Sequence, residues 1–156
     1  MHIRLLAVGD RQPPWVDDAF RLYSGRFPPQ WKFRLDVIAT AKRSKADSAK
    51  RAIETEGKLI LGKLTADERA VLLDERGKQM TSKSLAGRLS DWQTDGRDLC
   101  LIIGGPDGVS DRCRQRADFI WSLSDLTLPH GLARVLLAEQ MYRAWSLNSG
   151  HPYHRS

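Results

Sequence analysis

Short apolar runs alternate along the chain with longer segments in which apolar residues recur at helical spacing. The apolar runs predict five strands, at residues 3–8, 33–38, 70–75, 99–105 and 119–124, with Gly77 ending the third. The helical segments predict four helices, at residues 13–27, 44–61, 82–94 and 131–147, with Thr81 or Ser82 capping the third. Because strands alternate with helices, we expect an α/β fold whose mostly parallel sheet is flanked by helices.

The last predicted helix is apolar around far more than one third of its circumference. Its two adjacent apolar stripes consist of Val135, Ala138, Tyr142 and Trp145, and of Leu137, Met141 and Ala144. A helix of this kind packs on two sides, against its own sheet and against something else. The second side is covered either by the same chain or by a second one, and the small size of the domain favours a homodimer.

The second predicted helix follows the one marked charge run, at residues 41–51. Ala46, Ala49, Ile53 and Ile60 fall on one face of this helix and predict its buried side. A solvated loop leading into a helix is the simpler interpretation of the charge run, and an RNA-facing patch is the alternative.

Composition narrows the class of protein. The 156 residues fit one domain spanning residues 1–156, and 25 Lys and Arg against 19 Asp and Glu give a net charge of +6, which favours a polyanionic partner. No apolar stretch reaches the roughly 20 residues needed to span a bilayer, and no signal peptide is recognisable. We therefore expect a cytoplasmic protein that does not enter the membrane, with Cys100 and Cys113 as reduced thiols.

The stretch IIGGPDG, residues 102–108, follows the most continuous apolar run. Two glycines there let the backbone turn sharply and approach a ligand. In open parallel sheets, ligands bind at the carboxyl ends of the strands, where this loop is expected. A plain turn explains the glycines equally well, and the spacing does not match a phosphate-binding motif.

The stretch SLSDLTLPHG, residues 122–131, alternates small polar with apolar residues before a proline. Its backbone N–H and C=O groups, set between apolar side chains, suit a flat and mostly apolar ligand such as adenine. An ordinary strand-to-helix connection is the simpler interpretation of this stretch taken alone.

The chain ends on NSGHPYHRS, which holds two histidines but no neighbouring Cys, Asp or Glu. A zinc site needs three or four ligands, so we expect no metal here. His154 is a candidate general base, Tyr153 a stacking platform and Arg155 a phosphate or anion ligand. The alternative is a frayed polar tail.

Taken in order, IIGGPDG, WSLSDLTLPHGLARVLLAEQMYRAW and NSGHPYHR resemble the RlmH family of SPOUT-superfamily ribosomal RNA large-subunit methyltransferases. The opening LLAVGDRQPPW, the KR pair at 42–43 and DGRD at 95–98 also resemble that family. The resemblance implies a homodimer whose C-terminal part forms a deep trefoil knot, and S-adenosylmethionine as cofactor. The implied reaction is methylation at N3 of a pseudouridine in a 23S rRNA hairpin loop, within the assembled ribosome.

The resemblance also implies the binding residues. The implied cofactor contacts are Leu73, Gly104, Leu123, Ser124, Asp125, Leu126, Thr127 and Leu128. Two departures stand out: relatives often carry a small apolar residue at the position of Asp125, and often a Pro-Gly turn after Leu73, where this chain has DERGK. Tyr153, His154 and Arg155 are the catalytic candidates. The rival function is a non-catalytic RNA- or ribosome-binding factor on the same scaffold.

Overall fold

The computed structural model describes residues 1–9, 11–42 and 48–155. Its strands are β1 (Ile3–Val8), β2 (Phe33–Ile38), β3 (Arg69–Lys78), β4 (Leu99–Ile103) and β5 (Phe119–Trp121). Its helices are α1 (Pro14–Ser24), α2 (Ser48–Lys63), α3 (Ser82–Asp95), α4 (Asp111–Arg116) and α5 (His130–Ser149), followed by a 3-10 turn at Pro152–Arg155. The expected α/β fold is confirmed.

The five strands form one sheet in the order β2-β1-β4-β3-β5, and every pair of neighbours is parallel. Leu99 in β4 is level with Ile3 in β1 on one side and with Arg69 in β3 on the other. All five residues of β4 are buried, as its continuous apolar sequence predicts for a central parallel strand. The carboxyl ends of the strands therefore meet at one edge of the sheet.

Alternate strand residues enter two separate cores because successive side chains point to opposite faces of a sheet. Ile3 and Leu5 belong to a core that also holds apolar residues of α1, α3 and α5. Leu6 and Val8 belong to the opposite core, which includes Ile60 of α2 and Cys113 of α4. Helices thus cover both faces of the sheet.

Helix α5 lies against α1 and α3 on the same face of the sheet. Leu137, Ala138 and Met141 are fully buried, while Val135 and Trp145 are partly exposed. The wide apolar surface of α5 is therefore largely used within one chain, and the homodimer stays a prediction.

Three strand ends differ from the predictions, the smallest difference being at β4, which ends at Ile103 and not at residue 105. β3 does not end before Gly77 but continues to Lys78, with an irregularity in its pairing to β5 after Leu73. A Cβ atom on Gly77 would lie 2.7 Å from the backbone of Ile120, so only a residue without one fits beside β5. β5 ends at Trp121, three residues earlier than expected.

The buried face of α2 also differs from the prediction. Ala49 is exposed and Ile53 half-buried, while Ala52, Glu56 and Ile60 are buried. Glu56 is tolerated there because its carboxylate accepts a hydrogen bond from the Ala41 backbone N–H at 2.8 Å. Residues 43–47 of the charge run, including Ala46, lie outside the described residues.

The remaining expectations from composition concern the state of the two cysteines and the membrane. Cys100 and Cys113 are free thiols, and both are buried. Burial raises the pKa of the Cys100 thiol to about 12. Among the described helices, none combines the length and the apolar character that crossing a bilayer requires.

Candidate functional site

A cleft of about 940 Å³ opens at the carboxyl edge of the sheet, between the segments that follow β3, β4 and β5. This volume lies in the range of small-molecule sites. All eight residues that the family resemblance marks for the cofactor line the cleft, namely Leu73, Gly104, Leu123, Ser124, Asp125, Leu126, Thr127 and Leu128. Residues far apart in the sequence meet here because parallel strands end at one edge.

The turn after β4 forms one wall of the cleft. Gly108 donates its N–H to the Gly105 carbonyl at 3.1 Å and has φ +101°, which favours glycine. A Cβ atom on Gly104 would collide with the Val109 side chain, and one on Gly105 would lie 2.5 Å from a Glu56 carboxylate oxygen. The contact with Val109 requires glycine at position 104, whereas a side chain at position 105 would displace the Glu56 carboxylate. The backbone itself is therefore the surface of the cleft at these two residues.

The segment after β5 forms the opposite wall and is held by side-chain to backbone hydrogen bonds. The Ser124 hydroxyl accepts from the Leu126 N–H at 2.9 Å, and the Ser122 hydroxyl donates to the Ser124 carbonyl at 3.2 Å. The Ser122 N–H donates to the Lys78 carbonyl at 3.0 Å. These bonds replace the strand that the sequence predicts over 122–124. Leu126 is 76% exposed at the mouth of the cleft.

Asp125, the position that departs from the family pattern, is exposed, and its carboxylate accepts a hydrogen bond from the Gln79 amide. That bond joins the segment after β5 to the end of β3. The side chain of Asp125 thus has a structural partner outside the cleft, and its backbone remains part of the wall.

His130 lines the cleft and was not among the predicted site residues. The backbone of Gly104 favours the charged form of the ring slightly, while Nε2 has no hydrogen-bond partner among the described residues. Burial, with a further contribution from the Arg134 charge, lowers the pKa of His130 to about 4, so the ring is neutral at physiological pH. The signal in the sequence was its place directly after the proline that ends SLSDLTLP.

Arg134 lies one helical turn beyond His130 and is only 2% exposed. Its Nε and Nη2 atoms have no hydrogen-bond partner within the described part of the chain. A Cβ atom on Gly9, directly after β1, would lie 3.0 Å from Arg134 Nη2 and 3.2 Å from His130 Nε2, so a side chain there would have to displace one of these two groups. Burial lowers the pKa of Arg134, and the carboxylate of Asp17 opposes that shift.

The charged lining of the cleft is mainly acidic. Of the charged residues in the lining, four are acidic and two are basic, although the Asp125 carboxylate is bonded to Gln79 and that of Asp74 to Arg114; the six are Asp74, Glu75, Asp107, Asp125, Arg76 and Arg114. Since His130 is neutral, the excess is negative, and the cleft electrostatically favours a ligand that carries positive charge. In the described residues, no three His, Cys, Asp or Glu side chains form a group that could hold a metal ion.

The carboxyl-terminal turn packs against α5, which the frayed-tail interpretation does not predict. The Tyr153 hydroxyl donates to Glu139 Oε1 at 3.0 Å, and its ring lies 4.8 Å from the Tyr142 ring. The guanidinium groups of Arg26 and Arg143 lie 5.5 and 5.1 Å from the Tyr153 ring centre. Burial and the bond to Glu139 raise the pKa of Tyr153 to about 12, so the phenol stays protonated.

The other two catalytic candidates lie on the same turn. His154 is half-buried, with no partner for Nδ1 among the described residues, and Arg155 is exposed. Neither these two nor Tyr153 lines the cleft. One chain thus brings together the eight predicted cofactor residues, and separately the three predicted catalytic residues, but does not join the two groups.

Comparison with known proteins agrees with this arrangement. A family model described as "Predicted SPOUT methyltransferase" matches residues 1–154. The chain is 50% identical over 155 residues to "Ribosomal RNA large subunit methyltransferase H" of Thioalkalivibrio sulfidiphilus (strain HL-EbGR7), which covers 99% of both chains. The resemblance found in the sequence is thereby confirmed, and the chain belongs to the SPOUT methyltransferase family.

Proposed function

We propose that this protein is a cytoplasmic, S-adenosylmethionine-dependent methyltransferase that acts on N3 of a pseudouridine in a 23S rRNA hairpin loop of the large ribosomal subunit. The observation that carries the proposal is the convergence of eight predicted cofactor residues on one cleft. The 50% identical relative named "Ribosomal RNA large subunit methyltransferase H" supports the substrate class. The net charge of +6 suits a polyanionic substrate.

The residues of the cleft fit the proposed cofactor. Gly104 and the residues from Leu123 to Leu128 present backbone donors and acceptors between apolar side chains, which suits an adenine edge. The excess of carboxylates suits a ligand with a sulfonium and an ammonium group. When bound, S-adenosylmethionine supplies a methyl group that is already activated by the sulfonium.

The protein's own task is then to orient the acceptor base and to remove its N3 proton. We assign proton removal or base orientation to His154, stabilisation of the developing anion or a phosphate grip to Arg155, and base stacking to Tyr153. Arg155 is exposed and His154 half-buried, so both side chains lie near enough to the surface to meet a bulky RNA.

A homodimer would bring the two groups of residues together. The carboxyl-terminal turn lies outside the cleft of its own chain, so we propose that it serves the cleft of a second copy. Trp15 and Leu22, seven residues apart on one face of α1, are 54% and 52% exposed and are candidates for the dimer contact. The family resemblance further supports a single SPOUT domain over residues 1–156 with a deep trefoil knot around the cleft.

Two measurements test the function. Calorimetry with S-adenosylmethionine should find one site per chain, and mass spectrometry of rRNA nucleosides from cells lacking the protein should find one methylated pseudouridine missing. Donor binding without loss of any methylated nucleoside would reject the reaction. Absence of donor binding would instead leave the rival function, a non-catalytic RNA- or ribosome-binding factor.

The catalytic assignments need variants that keep the cleft intact. We expect His154→Ala and Arg155→Ala to retain donor affinity, because neither residue lines the cleft, and to lose methyl transfer by roughly a hundredfold for the base. Arg112→Ala, at an exposed position of α4, is the matched control and should transfer methyl groups normally. Near-normal rates for both tail variants would reject the assignment.

A further inference from the structure

The segment that follows Leu73 leaves the sheet and then returns to it. Both Leu73 and Lys78 are level with Trp121 of β5, so the four residues between them form an excursion from the β3 ladder. We call residues 74–77 the β3 excursion. Its first three residues, Asp74, Glu75 and Arg76, line the cleft, and Glu75 and Arg76 are exposed. A wall of the cleft is therefore made by backbone that the sheet does not hold.

The Asp74 carboxylate holds the beginning of this excursion. One oxygen, Oδ1, accepts the Arg76 N–H at 3.1 Å, and the other, Oδ2, accepts Nε of Arg114 at 2.6 Å. The Asp74 side chain is only 6% exposed and that of Arg114 is 21% exposed, so water competes weakly for the pair. Arg114 is also bonded to Asp111 on α4, at 3.0 Å. The ion pair thus joins the β3 excursion to helix α4.

The end of the excursion is held in a different way. Gly77 lies so close to β5 that a Cβ atom would sit 2.7 Å from the Ile120 and Trp121 backbones. Gly77 thereby permits the chain to rejoin the sheet, where the Ser122 N–H donates to the Lys78 carbonyl at 3.0 Å, and the Asp74–Arg114 pair holds the point where the chain leaves. Between these two points, Glu75 and Arg76 are exposed. Loss of the ion pair would leave the excursion attached at one end only.

We propose that Arg114 is a positioning residue for the donor, which sets the shape of the cleft by holding Asp74 and, through it, the β3 excursion. The inference rests on the proposed function, since it takes S-adenosylmethionine as the ligand of the cleft. A preorganised wall costs the ligand no ordering of the backbone on binding, whereas a loosened wall must be ordered at the expense of affinity. Removing Arg114 also leaves the Asp74 carboxylate buried without its counter-charge.

The test compares donor affinity among variants of the full chain. Calorimetry with S-adenosylhomocysteine should give a Kd about tenfold higher for Arg114→Gln and for Asp74→Asn, which corresponds to about 1.4 kcal/mol. The double variant should bind no more weakly than either single variant, because both changes remove the same interaction. Arg114→Lys keeps a cation within reach of Asp74 and should recover part of the affinity. Arg112→Gln, exposed on the same helix, should bind like the natural protein.

A second readout separates positioning from a general loss of stability. Trypsin cleaves after arginine, and Arg76 lies exposed within the β3 excursion. Cleavage after Arg76 should accelerate in Arg114→Gln relative to cleavage at the other basic residues, whereas global unfolding would accelerate all sites together. The natural protein and Arg114→Lys should both be protected at Arg76.

The outcomes separate the inference from the proposed function. If the natural protein binds S-adenosylhomocysteine and the Arg114→Gln and Asp74→Asn proteins bind it equally well, the positioning role is wrong while the proposed function stands. Additive losses in the double variant, or unchanged cleavage after Arg76, would also overturn it. If the natural protein binds no donor at all, the proposed function fails first.

Discussion

His130 makes the stability of this protein depend on pH between its own lowered pKa and that of a free histidine. The ring is held neutral, with a pKa of about 4 against 6.5 for a free histidine, by burial and by the Arg134 charge. At pH values between these two pKa values, His130 is protonated in the unfolded chain and neutral in the folded protein. The free energy of unfolding must therefore rise with pH through this window and fall as the solution is acidified.

The size of the effect follows from the two pKa values. Acidification from pH 7.5 to pH 5 should lower the free energy of unfolding by at most about 2 kcal/mol through His130 alone. The actual change in the free energy of unfolding should be smaller because the His130 ring is partly exposed to solvent. Glu68 and Asp95, whose pKa values are lowered by hydrogen bonds to arginines, lose their contributions at more acidic pH, below the carboxylate range.

Urea unfolding at pH 5 and at pH 7.5, followed by tryptophan fluorescence at one protein concentration, measures this change in the free energy of unfolding. His130→Asn removes the titrating ring, so it should lose most of the pH dependence of the natural protein. His2→Asn, at an exposed position, should keep it. An unchanged slope in His130→Asn would mean that the ring is not held neutral by its surroundings.

Two further substitutions test the walls of the site. Gly104→Ala places a methyl group against Val109, so it should lower the free energy of unfolding by about 1–3 kcal/mol and weaken donor binding measured by calorimetry. The control Gly62→Ala lies in an open part of α2 and should raise the free energy of unfolding by about 0.5–1 kcal/mol without changing donor affinity. Equal donor affinities in the two variants would contradict the fit at Gly104. Tyr153→Phe removes the hydroxyl bonded to Glu139 and should lower the free energy of unfolding by about 1 kcal/mol in urea titration, and no loss would show that this bond does not hold the turn.

Local signals predicted most of the elements. The apolar run of β4 is buried at all five positions, and Thr81 caps α3 by accepting the Ser84 N–H, as its residue type suggests. Helix α4 was missed although its signal is present: Ser110 accepts the Cys113 N–H, and Asp111 stands in the first turn. Six residues are too few to show a helical period, so capping chemistry alone could have identified it.

The cofactor residues could be placed because the family resemblance names them and because parallel strands end at one edge. The residues that surround them in the cleft could not be predicted in this way. His130 Nε2 lies beside Gly9, and Arg114 reaches Asp74 across 40 residues of chain; no periodicity or short motif encodes either contact. Glu56 is buried where the helical pattern predicts apolar residues, since its partner Ala41 lies outside the helix.

The amino-acid sequence by itself determined the alternation of strands and helices, the family and the eight cofactor residues that the family resemblance marks, because these depend on residue type and on order along the chain. Tertiary structure alone decided that β3 passes Gly77, that α1 and α3 cover α5, and that the carboxyl-terminal turn packs on Tyr142 outside the cleft. Each of these outcomes depends on which surfaces are left uncovered once the sheet has formed, and that is a property of the assembled chain.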